Sequence, residues 1–260
     1  MKRFTKYLLG LIFIIFFIYY AAGFYVAYQI LKIDYSCGLH EGSLPNTWST
    51  SIDAHQYNDI SQRKLRENFQ YENYYLDEWQ DVYFLSRDND IKINSWLFNY
   101  FPNRPIIIVT HGINPNGKCK SESNLIASLL ISKNFNVLTI DLRNYGQSDR
   151  TSNYEDLGLK SYKDVLGAFD FLKNIGFKSS QIGLHGISLG ASTSIFAAHE
   201  EPEILAIWSD SPIAEFKMAL TDEIARYGLS IEFGPAVSLA GRILTGIDPT
   251  LLSPALKLTK

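Results

Sequence analysis

Residues 181–198 pass from an apolar strand-forming stretch, Gln181 to His185, through Gly186-Ile187-Ser188-Leu189-Gly190 into the helix-forming run Ala191 to Ala198. A strand that becomes a helix within five residues points to layered α/β packing, where each strand is followed by a helix that crosses back over the sheet. The glycines two before and two after Ser188 let backbones pass closely, and the tight turn holds the serine hydroxyl clear of the sheet. The helix that follows adds a positive dipole end and free N–H groups beside that hydroxyl. Ser188 is therefore expected to be a nucleophile, with Gly186 and Gly190 shaping its turn.

The remaining chain fits this architecture. Short apolar runs at 81–86, 92–100, 105–110, 136–140, 181–185 and 204–208 read as strands, and 121–133, 160–175 and 189–199 read as helices. Ile106, Ile107, Ile108 and Val109 form an uninterrupted β-branched run, as expected of a central strand covered on both faces. In the second helix Val165, Phe169 and Leu172 recur at helical spacing. From Ala214 onward helix-like segments dominate, broken by Gly234-Pro235, Asp248-Pro249 and Ser253-Pro254. The third strand run ends in His111-Gly112-Ile113. Acyl transfer needs two donors aimed at the developing oxyanion, and the N–H groups of Leu189 and Ile113 are the natural pair.

Together with Gly186 to Gly190 and His111-Gly112, the turn Asp141-Leu142-Arg143-Asn144-Tyr145-Gly146-Gln147-Ser148 makes residues 81–258 resemble the α/β-hydrolase superfamily. Within it the chain is similar to membrane-anchored bacterial serine hydrolases of the serine aminopeptidase-like and dienelactone-hydrolase-like branch. The resemblance implies an α/β-hydrolase fold, a mostly parallel sheet with flanking helices and a helical lid at about 214–250. Asp141 and Arg143 match a turn that is structural in the family. The glycine-rich HGGG loop of many lipases is absent.

A serine hydroxyl is a weak nucleophile until a histidine takes its proton, and the histidine needs an orienting carboxylate. Only His199 follows Ser188. Eleven residues along one helix put it roughly 16 Å away by axial rise, against the ~3 Å that proton transfer requires. His111 and His185 sit on the oxyanion loop and the strand and read as structural, while His40 and His55 lie upstream of the fold. Asp210, directly after the sixth strand run, is the weak candidate for the acid; the usual family position follows a seventh strand. The resemblance thus implies a domain lacking its last two strands, C-terminally truncated, with acid and histidine expected beyond residue 260. The activity expected is hydrolysis of an ester, thioester or amide, acting on a small-molecule or peptide acyl substrate. The alternative is an inactive fragment or binding module that keeps the pocket without the triad. No metal and no organic cofactor is implied, and the glycine spacing around Ser188 fits neither dinucleotide nor P-loop patterns.

The amino terminus carries a separate signal. Leu8 to Leu31 contain no charge over 24 residues, roughly 36 Å as a helix, enough to cross ~30 Å of hydrocarbon with tilt. Lys2, Arg3 and Lys6 precede the span, so the positive-inside tendency keeps the amino terminus cytoplasmic and sends the body across the membrane. Secretion after signal cleavage near Ala21 and Gly23 is the competing reading. The expected organisation is an anchor at 1–33, a membrane-proximal collar at 34–80 and an incomplete hydrolase domain at 81–260. Residues 1–33 hold four bases and no acid, so the remainder has 20 bases against 27 acids, a balance of −7. An acidic body without basic runs argues against nucleic acid as a partner. Cys37 and Cys119 would pair only in an oxidising compartment, and two separate thiols are the expectation.

Overall fold

The computed structural model describes residues 2–33, 41–48, 69–87, 90–113 and 119–258. The chain divides into two compact units: Ile33–Ile213 with Pro254–Lys260, and Met1–Lys32 with Ala214–Ser253.

The larger unit holds a six-stranded sheet formed by β1 (Gln80–Leu85), β2 (Lys92–Phe98), β3 (Ile106–Thr110), β4 (Asn136–Ile140), β5 (Ile182–Ile187) and β6 (Ile207–Asp210). Their spatial order is β1-β2-β4-β3-β5-β6. β4, β3, β5 and β6 are parallel, while β2 pairs antiparallel with both β1 and β4. β3 is interior, as its unbroken apolar run predicts. Ile106 and Ile108 face a cluster with Val165, Phe169 and Leu172, whereas Val109 on the other face meets Phe98, Val137 and Ala127. Each such side chain withdrawn from water contributes about 1.5–3 kcal/mol.

The helices of this unit are α2 (Asn124–Ile131), α3 (Tyr162–Asn174) and α4 (Leu189–Glu200), with α1 (Lys2–Leu31) belonging to the other unit. The helix expected at 121–133 starts later because residues 120–123 form a 3-10 turn, whose Lys120 reaches Asn94 on β2. The last strand also lies three residues beyond its expected start at 204. Its pairing with β5 begins at Leu184 opposite Ile207, leaving Leu205 exposed. α4 is buried from Leu189 to Ala197 despite its hydroxyls. They are satisfied internally: Thr193 donates to the Leu189 carbonyl, Ser194 pairs with Thr110, and Ser192 exchanges hydrogen bonds with Ile213. Small side chains thus let the helix sit directly on the sheet.

Two separate thiols are not what the structure contains. Cys119 is buried and disulfide-bonded, and the one other cysteine of the sequence is Cys37. Sequence spacing could not reveal this pairing. Cys37, His40 and His55 lie outside the described residues.

The second unit contains α1, α5 (Phe216–Arg226) and α6 (Gly234–Thr245), with 3-10 turns at Ile231–Phe233 and Pro249–Leu251. α1 is long and apolar enough to cross a membrane, an 18-residue stretch within Phe4–Leu31 reaching a mean hydropathy of 2.2. Its first part is exposed, and its last turns pack on α6. A Cβ at Gly23 would meet that of Ala236 at 2.5 Å, so the glycine is what allows the two backbones to touch. Val26, Ala27, Ala236, Val237 and Ala240 are buried. Tyr19 stacks on Phe233 at 5.1 Å and donates its hydroxyl proton to the Glu232 carbonyl at 2.8 Å. α6 opens on Pro235, whose missing N–H costs nothing at a first turn, and stops at Gly246 in the left-handed region with φ 76°.

Candidate active site

The junction of β5 and α4 places Ser188 at φ 52°, ψ −115°. A non-glycine residue at positive φ stores about 1–3 kcal/mol, which the surroundings must hold in place. They do so through backbone. The Ser188 amide donates to the Asp210 carbonyl at 2.8 Å, and its own carbonyl accepts from Ala191 and Ser192. A Cβ at Gly186 would strike the backbone of Gly190 and Ala191 at 2.3–2.5 Å, and one at Gly190 would strike the carbonyls of His111 and Thr110 at 2.3 and 2.5 Å. The two glycines are therefore required for α4 to start so close to both β5 and the end of β3. Ser188 itself is half-buried.

The His111-Gly112-Ile113 turn lies against this serine, since a Cβ on Gly112 would stand 3.4 Å from the Ser188 Cβ. The Gly112 amide is occupied, donating to Glu122 Oε2 at 2.7 Å. Leu189 is buried as the first residue of α4, where the opening N–H groups have no acceptor within the helix. Thus Gly112, Ser188, Leu189 and Gly190 come together, and Ile113 follows directly in the same loop.

The histidines do not join them. His111 is fully buried: Leu142 donates its amide to Nε2 at 3.1 Å, which leaves the proton on Nδ1, and Nδ1 donates to the Gly112 carbonyl at 2.8 Å. Burial holds this imidazole below its usual range, so it is a neutral brace for the loop. His185 is also held down by burial, only partly opposed by Asp210; its Nε2 has no hydrogen-bond partner and its ring lies 6.0 Å from Trp208. His199 is at the far end of α4, its Nδ1 on the Lys257 carbonyl at 3.0 Å. Asp210 is exposed at the end of β6, its Oδ1 accepting from the Ser211 hydroxyl at 3.0 Å.

The turn after β4 is held by two buried ion pairs. Arg143 forks onto Asp164 at 2.7–3.1 Å and also donates to Ser86. Burial raises Asp164 to about 6 although the Arg143 guanidinium opposes the rise; with three contacts to that guanidinium and a fourth to the Arg143 amide, an ionised carboxylate is the state the geometry supports. Asp141 receives Lys120 Nζ at 2.6 Å and the Lys120 amide at 2.9 Å. Nothing in the sequence marked Lys120 or Glu122 for these tasks, because neither stands in a motif and both act across the fold.

A family model described as alpha/beta hydrolase fold matches residues 105–230. The Pyrococcus furiosus esterase Pf2001 superposes with a TM-score of 0.53 at 22% identity, over 70% of this chain and 68% of that one. The chain has the α/β-hydrolase fold. Among curated proteins, thiohydrolase aneE of Aspergillus aculeatus is 31% identical over 139 residues, 53% of this chain and 42% of its own length. Acyltransferase drtE of Aspergillus calidoustus is 28% identical over 136 residues, 52% of this chain and 43% of its own. The chain therefore spans less than half the length of these two relatives. The α/β-hydrolase fold accounts for the strand order and for the strand-turn-helix that carries Ser188.

Proposed function

We propose that the protein is a serine hydrolase or acyl-transfer enzyme in which Ser188 attacks an ester, thioester or amide carbonyl. The observation that carries this reading is the strained positive-φ turn at Ser188, fastened to β6 and abutting the His111-Gly112-Ile113 loop. In the reaction the serine oxygen bonds to the acyl carbon as its proton leaves. The N–H groups of Ile113 and Leu189 stabilise the tetrahedral oxyanion, and collapse expels the alcohol, thiol or amine and leaves an acyl-serine. Water or a second nucleophile then releases the acyl group. The proton acceptor is supplied from outside the described residues, because His111, His185 and His199 are committed or misplaced as described. The names thiohydrolase and acyltransferase carried by the two relatives favour thioesters among the candidate substrates.

The same reading anchors the chain by α1, with the amino terminus cytoplasmic and the hydrolase unit on the far side. The Cys119 disulfide supports this orientation, since disulfides persist in oxidising compartments.

A fluorophosphonate probe tests the chemistry. Labelling of the full chain that vanishes in Ser188→Ala is expected; an unlabelled wild-type chain, or label retained in the variant, overturns the assignment. Protease added to intact cells should digest the hydrolase unit and spare residues 1–6.

A further inference from the structure

The smaller unit contains a cavity of about 480 Å³ between α5 and α6, within the range of roughly 300–1,000 Å³ typical of ligand pockets. Its wall is apolar along Leu220, Ile224, Ile231 and Leu239, and Lys217 and Arg242 add two cations to it. Neither cation has a carboxylate within ion-pairing distance among the described residues. The one acid in the lining, Asp248, is turned to other work: its carboxylate accepts from the Thr250 amide at 3.0 Å and the Thr250 hydroxyl at 2.6 Å. The lining is therefore an apolar wall beside two cations and one acid, Asp248, which Arg242 helps to hold ionised; the net charge of +1 complements a molecule with one alkyl chain and one anionic head. At about 30 Å³ per water-sized group the 480 Å³ holds on the order of sixteen groups, the size of one long acyl chain and not of a two-chain lipid.

The position of the cavity within its unit indicates where such a molecule would come from. The unbroken exposed stretch of α1, Phe4 to Ile18, rises only about 22 Å at 1.5 Å per residue, short of the ~30 Å hydrocarbon thickness, although Tyr20, Phe24 and Tyr25 further along are exposed as well. The remaining depth must be taken up by the turns from Tyr19 onward, which are those packed on Phe233 and Ala236. Ile231, 60% exposed and in the cavity lining, is adjacent to Glu232, whose carbonyl holds the Tyr19 hydroxyl. The cavity rim and the outer end of the span thus share one interface.

We propose that this cavity binds a single-chain anionic amphiphile of the fatty-acid class taken from the outer leaflet, its chain along Ile224, Ile231 and Leu239 and its carboxylate between Lys217 and Arg242. The proposal rests on the membrane-anchor part of the reading above and is independent of the chemistry at Ser188.

The test uses the full chain in phosphatidylcholine nanodiscs with a diazirine-bearing palmitate, crosslinked sites being mapped by mass spectrometry. Crosslinks within residues 217–242 are expected, competed by unlabelled palmitate and reduced at least tenfold in the Lys217→Gln/Arg242→Gln double variant. Leu239→Trp, which fills the space and leaves both cations, should block them equally. Ser188→Ala should leave them unchanged, which separates this site from the catalytic reading. Cavity crosslinks that persist in the double variant, or that a diazirine hexadecanol reproduces, would overturn the carboxylate site. Preference for a diazirine phosphatidylglycerol would do so as well, by assigning the cavity to a two-chain lipid. A chain that fails to enter the discs refutes both this proposal and the anchor, whereas a chain in the discs without cavity crosslinks refutes this proposal alone.

Discussion

The Ser188 amide and the Asp210 carbonyl are joined by a 2.8 Å hydrogen bond, one position past the Ile187–Asp210 pair that ends the β5–β6 ladder. The turn bearing the candidate nucleophile is thereby fixed to the neighbouring strand, and its positive-φ backbone is held from two sides. The other side is the approach of Gly190 to the end of β3.

Gly190→Ala tests that second support. The added methyl would lie 2.3 Å from the His111 carbonyl, a backbone atom that cannot swing aside. Overpacking of this kind costs about 1–3 kcal/mol and would move α4 away from the His111-Gly112-Ile113 loop. The expected outcome is a lower melting temperature and a fluorophosphonate labelling rate reduced at least tenfold. Wild-type values for both would contradict the described packing.

Lys120 and Asp141 form a buried pair, and removing one partner strands the other's charge. Lys120→Met should destabilise the protein by about 3–5 kcal/mol. Adding Asp141→Asn to it should recover part of the loss. Additive effects of the two substitutions in thermal unfolding would show that the pair is not coupled.

Glu155 is buried beside Asp156 and hydrogen-bonded to the Tyr145 hydroxyl. Burial first, and Asp156 second, push its carboxyl up to about 8. An acid raised in the folded state favours folding at low pH. Its contribution is complete below the unfolded value near 4.3 and is lost as pH rises toward 8. Stability measured between pH 5 and 8 should therefore fall in the wild type and fall less in Glu155→Gln, with a difference on the order of a few kcal/mol at pH 8.5. Parallel curves for the two proteins would assign the pH dependence elsewhere.

The Cys119 disulfide should be worth about 2–4 kcal/mol. Adding a reductant, or substituting Cys119→Ser, is expected to lower the melting temperature by the same amount. Thiol titration of the unreduced, denatured chain should find no free thiol, and reaction at Cys119 without reductant would count against the bond.

The sheet and the serine turn were legible in the sequence because both are local. The run Ile106 to Val109 could only be a strand covered on two faces, and the glycines around Ser188 announce the close approach that the backbone makes. What could not be read is what joins distant segments. Lys120 looks like an ordinary surface lysine until the fold brings Asp141 to it, and Glu122 gains its place only by reaching the Gly112 amide. The start of β6 was placed early because Ile204 and Leu205 are as apolar as a strand, yet pairing with β5 starts at Ile207. The interplay of α1 with α6 was equally hidden, because a run of apolar residues does not state which of its turns meet protein.

That last contact bears on how the protein is handled in the laboratory. Deleting the first thirty-two residues is the obvious route to a soluble preparation for crystallisation or assay. It would also strip the cover from Ala236, Val237 and Ala240 and leave Phe233 without its stacking partner. Such a preparation would display a greasy stripe and clump, and its poor behaviour would say little about the native protein.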